Sequence, residues 1–130
     1  MIVLDASVVV ELLTGGLLAD TIRRKLGEHD DSLLVPHLLD VEVVSAIRGL
    51  AAGKRIDSRR SEELLADLAA LPAERFAHTL LLERVWELRH NFTAYDAVYI
   101  ALAEATNSVL YTSDEKLSRG HSARVELFAY

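Results

Sequence analysis

The chain of 130 residues contains no cysteine. That absence excludes disulfide bonds, zinc sites built from thiolates and cysteine nucleophiles. A metal ion bound by this chain would therefore have oxygen or imidazole ligands, and oxygen ligands favour Mg²⁺, Mn²⁺ or Ca²⁺.

The sequence also lacks a long apolar run and a basic segment at its start. A charged residue, Asp5, appears after only four apolar residues, which is unlike the pattern of a secretory signal peptide. No apolar run is long enough to span a bilayer. We therefore expect a cytoplasmic protein that does not enter a membrane.

Positive charge is scarce, because 14 Lys and Arg residues face 20 Asp and Glu residues and the net charge is -6. That excess of acid argues against a nucleic-acid partner, although an acidic site that binds metal cations would also make the total negative. The composition, 51% hydrophobic and 26% charged, is that of a globular protein. Residues 1–130 are therefore expected to form a single domain.

Short apolar segments alternate with helical patterns along the chain. The predicted strands are residues 2–5, 33–36, 74–78, 108–113 and 123–130. The predicted helices are residues 7–13, 17–26, 37–53, 57–71, 79–91 and the segment that follows Asn91, with a helical turn at 114–119. This alternation is typical of a parallel sheet covered by helices on both faces, so we expect an α/β fold with about five short strands.

Two helix starts are marked by particular residues. Pro36 can occupy the first turn of the helix after the second strand. Asp57 or Ser58 is expected to cap the next helix, which Pro72 ends.

One helix is predicted to be buried on every side. Asp96 is followed by seven uncharged residues, 97–103, and a helix without a polar face lies in the core. Thr93 and Asp96 also fit a capping box, so the carboxylate has a structural explanation beside a catalytic one.

Four carboxylates are expected at one edge of the sheet. Asp5 ends the first strand, Glu42 lies early in the helix after the second, Asp96 begins a crossover helix, and Asp114 follows the fourth strand. In a parallel sheet the carboxyl ends of strands and the starts of crossover helices share one rim, where open α/β sheets bind ligands.

Four clustered carboxylates repel one another unless a cation intervenes, and a divalent metal ion with oxygen ligands would relieve that repulsion. Such an ion activates water and binds phosphodiesters, so nucleic acid is the leading substrate class. Asp96 and Asp114 would alternatively be helix caps, and Glu42 an exposed helix residue. Ser7, Thr112 and Ser113 stand beside the acids, either as supports for the carboxylates or as turn residues.

The segments IVLDASVVVELL, LLDVEVVSAIRG, TAYDAVYIALAEA and LYTSDEKL resemble the four acidic motifs of PIN-domain ribonucleases. Their order and the total length resemble the VapC toxins of type II toxin–antitoxin pairs. The resemblance implies a PIN-like domain in which Asp5, Glu42, Asp96 and Asp114 bind Mg²⁺ or Mn²⁺. RNA would be hydrolysed by a metal-activated water, with no covalent intermediate.

The resemblance also implies supporting residues and partners. Ser7 and Thr112 match hydroxyl positions that support the acids, and a VapB-type antitoxin and a homodimer are expected partners. Arg89 and Asn91 would contact RNA phosphate or tie a helix junction together, and the roles of Asp40 and Glu115 stay open. The rival interpretation is a PIN-fold module that binds protein or RNA without cleavage, and the presence of all four acids favours the enzyme.

Overall fold

All 130 residues are described by a computed structural model, in which five short strands form one parallel sheet. The strands are β1 (Ile2–Leu4), β2 (Leu33–Pro36), β3 (Ala73–Phe76), β4 (Val109–Thr112) and β5 (Arg124–Leu127). Their order across the sheet is β3-β2-β1-β4-β5, and every neighbouring pair is parallel. The predicted α/β fold is confirmed.

The helices lie between the strands along the chain. They are α1 (Ala6–Thr14), α2 (Ala19–Gly27), α3 (Leu38–Ala52), α4 (Ser58–Ala69), α5 (Leu82–Glu87) and α6 (Ala94–Thr106). Two short 3₁₀ turns span Thr79–Leu81 and Glu115–Ser118. None of these helices combines the length and apolarity that a membrane crossing requires.

The strand order explains why helices cover both faces. Successive connections from β1 to β2 and β3 move across the sheet in one direction, whereas the connection from β3 to β4 moves back past β1. Because parallel crossovers are right-handed, reversing the direction places the connecting helices on the opposite face. Accordingly α1 packs with α2, α3 and α4, while α6 packs with α5 across β1, β2 and β4.

The core lies on both sides of β1, whose three residues are all buried. Residues 97–103 of α6 are buried too, which confirms the prediction of a helix without a solvent face. Fully burying an Ile or Leu side chain contributes about 2 kcal/mol. The burial of α6 therefore fixes its position against the sheet, and with it the position of Asp96.

The single helix predicted over 79–91 is wrong. The segment divides into a 3₁₀ turn, the short helix α5 and a tight turn that ends when the Phe92 amide donates to Leu88 O at 3.1 Å. Phe92 is buried against Gly120, so the chain bends inward before α6 begins. Long-range packing, which local periodicity does not contain, decides this break.

Pro36 is the last residue of β2 and is paired with Phe76, as the strand predicted over 33–36 has it. It does not lie in the first turn of the next helix, because α3 begins only at Leu38. Pro36 has no amide N–H, but the sheet loses no hydrogen bond at this position, because the His37 amide donates to Phe76 O at 2.8 Å. Asp57 caps α4 as predicted, with its carboxylate accepting from the Arg60 amide at 2.8 Å.

Candidate active site

Asp5 stands where the strand order reverses, between β1 and β4. Strand β1 ends at Leu4, one residue earlier than predicted, and Asp5 is the N-cap of α1 with Oδ1 accepting from the Val8 amide at 3.0 Å. The Asp5 amide donates to Tyr111 O on β4 at 3.1 Å. In open parallel sheets this reversal point is where ligands bind, because the neighbouring connections diverge there.

Two hydroxyl groups hold the Asp5 carboxylate. Ser7 Oγ donates to Oδ1 at 2.6 Å, and Thr112 Oγ donates to Oδ2 in a short hydrogen bond. Asp5 is only 5% exposed, and burial, followed by the nearby charge of Asp114, raises its pKa although these hydrogen bonds oppose the shift. Both predicted supporting residues therefore contact the acid directly.

Asp114 is tied to the same hydroxyl network. Its amide donates to Thr112 Oγ at 2.9 Å, and the Ser113 amide donates to Ser7 Oγ at 3.1 Å. The carboxylate of Asp114 accepts from the Lys116 amide at 3.0 Å and so caps the turn Glu115–Ser118. Asp114 therefore caps this turn and also lies near enough to Asp5 for its charge to act on it.

Asp96 lies in the first turn of α6, and Thr93 is the N-cap. The Asp96 amide donates to the Thr93 hydroxyl at 3.2 Å, whereas no backbone amide at the helix start donates to the Asp96 carboxylate. Half of the capping box is thus present. Burial and the charge of Asp114 raise the pKa of Asp96, and Lys116 and Thr93 oppose that shift.

Glu42 projects from α3 and is held by a residue of α6. The phenol of Tyr99 donates to Glu42 Oε1 at 2.5 Å. Burial is the main cause that raises the pKa of Glu42, the bond from Tyr99 opposes it, and the charges of Asp96 and Asp5 add to it. Tyr99 was not predicted as a site residue, although its place three residues after Asp96 puts both on one side of α6.

These four carboxylates form what we call the acidic ring: Asp5, Glu42, Asp96 and Asp114. Each is coupled by charge to two others, since Asp5 and Asp96 both act on Glu42 and Asp114 acts on both Asp5 and Asp96. No three Asp, Glu or His side chains stand close enough to hold a metal ion between them as they are placed. Asp5 and Glu42 accept hydrogen bonds from other elements, Thr112 of β4 and Tyr99 of α6, whereas the Asp114 carboxylate accepts from the Lys116 amide of its own turn.

The other predicted residues lie outside the acidic ring. Arg89 is exposed, stacks on Trp86 with its guanidinium carbon 4.3 Å from the ring centroid, and donates to Trp86 O at 2.9 Å. Asn91 is exposed in the turn before α6. These contacts support a role in the helix junction, and a contact with RNA stays a prediction.

The two acids whose roles were open are also placed. Asp40 forms a two-point ion pair with Arg75 on β3, with both N···O distances at 3.0 Å. Glu115 is exposed and its carboxylate accepts no hydrogen bond. Asp40 therefore ties α3 to β3, and Glu115 takes no part in the acidic ring.

The sequence matches the family model described as PIN domain over residues 2–121, a range that includes all four acids. The chain belongs to the PIN-domain family. The resemblance inferred from the four acidic motifs is thereby confirmed.

Relatives of this PIN domain carry the name VapC ribonuclease. Ribonuclease VapC9 of Mycobacterium tuberculosis is 42% identical over 118 residues, which cover 91% of this chain and 89% of the relative. Ribonuclease VapC12 of the same species is 38% identical over 132 aligned residues, which cover 99% of this chain and 100% of the relative. This PIN domain is therefore a member of the VapC group.

Solved structures agree on the fold. A toxin–antitoxin complex from Klebsiella pneumoniae contains a chain that superposes on this PIN domain with a TM-score of 0.75, covering 100% of both chains at 16% identity. At that identity the likeness concerns the fold alone.

Proposed function

We propose that this PIN domain is a metal-dependent endoribonuclease of the VapC toxin type, which hydrolyses RNA phosphodiester bonds and is inhibited by a VapB-type antitoxin. The observation that carries the proposal is the acidic ring at the reversal point of the sheet, in a chain 42% identical to a ribonuclease. The names of the VapC relatives support RNA as the substrate.

The donor set fits a divalent cation. The acidic ring contains only oxygen donors, and burial together with mutual repulsion raises the pKa values of Asp5, Glu42 and Asp96. A cation relieves both causes of that shift. We infer that Asp5, Glu42, Asp96 and Asp114 would hold Mg²⁺ or Mn²⁺, which supplies Lewis acidity and a nucleophilic water at neutral pH.

The chain itself contributes orientation and exclusion of water. Thr112 and Ser7 hold both oxygens of Asp5, and Tyr99 holds Glu42, so neither carboxylate has to be ordered when substrate binds. The Asp96 carboxylate accepts no bond from the backbone of its own helix, which leaves its oxygens for a cation. The burial of Asp5 lowers the local dielectric and strengthens every charge interaction in the acidic ring.

Cleavage of RNA by single variants tests the proposal. A labelled mixed-sequence RNA is incubated with Mn²⁺ and with the wild type, Asp5→Asn or Asp96→Asn. We expect each variant to lose at least about 100-fold in rate, because each removes a charge that would hold the metal, while Asp5→Asn keeps a side-chain oxygen that can accept from the Val8 amide. Chelation of the metal should abolish cleavage by the wild type.

Glu115→Gln is the matched control, since it neutralises an exposed acid next to Asp114 that lies outside the acidic ring. It should cut as the wild type does. Variants of Asp5 and Asp96 that cut as fast as the wild type would show that the site assignment is wrong. If the wild type binds RNA but never cleaves it, the chain is a PIN-fold binding module.

The partners and the location follow from the same proposal. We place the protein in the cytoplasm, where its RNA substrate is, and expect a homodimer. An exposed groove between α3 and α4, lined by Val44, Leu65 and Leu68, offers an apolar surface for an antitoxin segment. Light scattering of the purified chain, alone and with a VapB-type antitoxin, measures both assemblies.

A further inference from the structure

One exposed cation stands at the acidic ring. Lys116 follows Asp114 by two residues, and its amide bonds to the Asp114 carboxylate at 3.0 Å. The next residue, Leu117, is 2% exposed, and the Leu117 amide donates to Asp114 O at 3.0 Å. The backbone of Lys116 is therefore held firmly beside Asp114, while its side chain is exposed to solvent.

Lys116 has no ion-pair partner, although two acids, Asp114 and Glu115, directly precede it. The salt bridges of the chain involve other cations, such as Arg75, Arg84 and Lys25. Burial and the charge of Asp114 raise the pKa of Asp96, and Lys116 is close enough to lower it in part. Lys116 is the one cation among the charges that shift the pKa values of Asp5, Glu42 and Asp96.

A polyanionic substrate needs positive charge at this place. A phosphate that approaches four carboxylates is repelled, and the net charge of -6 gives no general attraction. A bound divalent cation offsets part of the repulsion. An ammonium group that is near Asp96 but not paired with it keeps its three donors available for phosphate oxygens.

We propose that Lys116 binds the RNA phosphate held over the acidic ring, with Nζ donating to a non-bridging oxygen. The inference rests on the proposed ribonuclease function and adds a substrate-contacting residue to it. Asp114, in this arrangement, positions Lys116 through the turn that it caps.

Two measurements on the full-length chain test the role of Lys116. The first is kcat/KM for Mn²⁺-dependent cleavage of a labelled mixed-sequence RNA. Loss of one hydrogen bond between charged groups should lower kcat/KM for Lys116→Met by about 10- to 100-fold. Lys116→Arg, which keeps the charge, should recover most of the rate.

The second measurement is RNA affinity over a series of KCl concentrations, by fluorescence anisotropy and without Mn²⁺. One lost phosphate contact should reduce the slope of log affinity against log salt by about 0.7 to 1 for Lys116→Met. Arg119→Met is the matched control: Arg119 is exposed, forms no salt bridge and lies three residues further along the same segment. Its slope should equal that of the wild type.

The outcomes separate the inference from the proposed function. An unchanged salt slope for Lys116→Met overturns the inference, even if the variant is less stable, because a residue that only offsets the acids would change stability and not the slope. If the wild type cuts no RNA but Lys116→Met still flattens the slope, the cleavage proposal fails and the phosphate contact stands.

Discussion

Tyr99 joins the buried helix α6 to Glu42 of the acidic ring on α3. Burial, with the adjacent Glu42, raises the pKa of Tyr99 far above its ordinary value, so the phenol keeps its proton and remains a donor. Its partner, the Glu42 carboxyl group, is only partly exposed. A buried donor to a carboxylate is worth more than a neutral hydrogen bond.

Tyr99→Phe should therefore lower the free energy of unfolding by about 1 to 2 kcal/mol at neutral pH. The loss should be smaller in a Glu42→Gln background, because the remaining bond is between neutral groups. Urea denaturation of both single variants and the double variant gives the coupling energy directly. A coupling near zero would mean that Tyr99 and Glu42 do not interact in solution.

At the scale of elements, Glu104 joins α5, α6 and the segment before β5. Its carboxylate accepts from Arg84 Nε at 2.8 Å and Nη2 at 3.0 Å, and from the Ser122 hydroxyl at 2.6 Å. These donors, Arg84 above all, lower the pKa of Glu104 from 4.5 to about 2. Glu104 therefore fastens α5 and the segment before β5 to the buried helix.

The sign of the pH effect follows from that lowered pKa. The stabilisation by Glu104 is fully present above the unfolded value of 4.5 and is lost as the pH falls towards 2. Glu104→Gln should cost about 2 kcal/mol at neutral pH, allowing for the solvent exposure of Arg84.

Urea denaturation of the wild type and Glu104→Gln, from about pH 7 to about pH 3, should show the two curves converging as the carboxylate protonates. The control Glu83→Gln changes an exposed acid in the first turn of α5 and should stay within about 0.5 kcal/mol of the wild type. A difference between Glu104→Gln and the wild type that grows towards acid pH would contradict this account.

At the scale of the whole molecule, the fold brings together carboxylates that repel each other. The pKa values of Asp5, Glu42 and Asp96 are raised, and burial is the first cause of each shift. A raised carboxyl pKa means that the stability contribution is present below the unfolded pKa and is lost as the pH rises through the folded one. At neutral pH the acidic ring therefore costs stability.

Neutralising one member should raise the melting temperature in metal-free buffer at neutral pH. Glu42→Gln keeps an acceptor for Tyr99, and a gain of about 1 kcal/mol corresponds to about 4 °C in a domain of this size. Mn²⁺ should raise the melting temperature of the wild type more than that of Glu42→Gln, because the cation offsets the same repulsion. Differential scanning calorimetry measures both effects.

Glu115→Gln is again the control, and its melting temperature should not change by more than about 1 °C. If Glu42→Gln melts below the wild type in the absence of metal, the hydrogen bond from Tyr99 outweighs the repulsion at this position.

The sequence by itself determined the strands, most helices, the buried character of α6 and the edge of the sheet at which the acids lie. Each of these follows from local information: apolar periodicity, residues that favour caps, and the rule that parallel strands end at one rim. The same information did not exclude Pro36 from the first turn of α3 and did not show that the helix predicted over 79–91 ends after α5, because pairing with β3 and the inward packing of Phe92 decide those points.

The tertiary structure alone decided which strands are neighbours and how the acids are held. Thr112 meets Asp5 across 107 residues of sequence, and Tyr99 meets Glu42 across 57. No local pattern encodes such contacts, because they exist only after the strand order β3-β2-β1-β4-β5 brings β1 beside β4 and α6 over both. That order places Asp5 and Asp114 at the reversal point, and the packing of α6 then sets Asp96 and Tyr99 beside them.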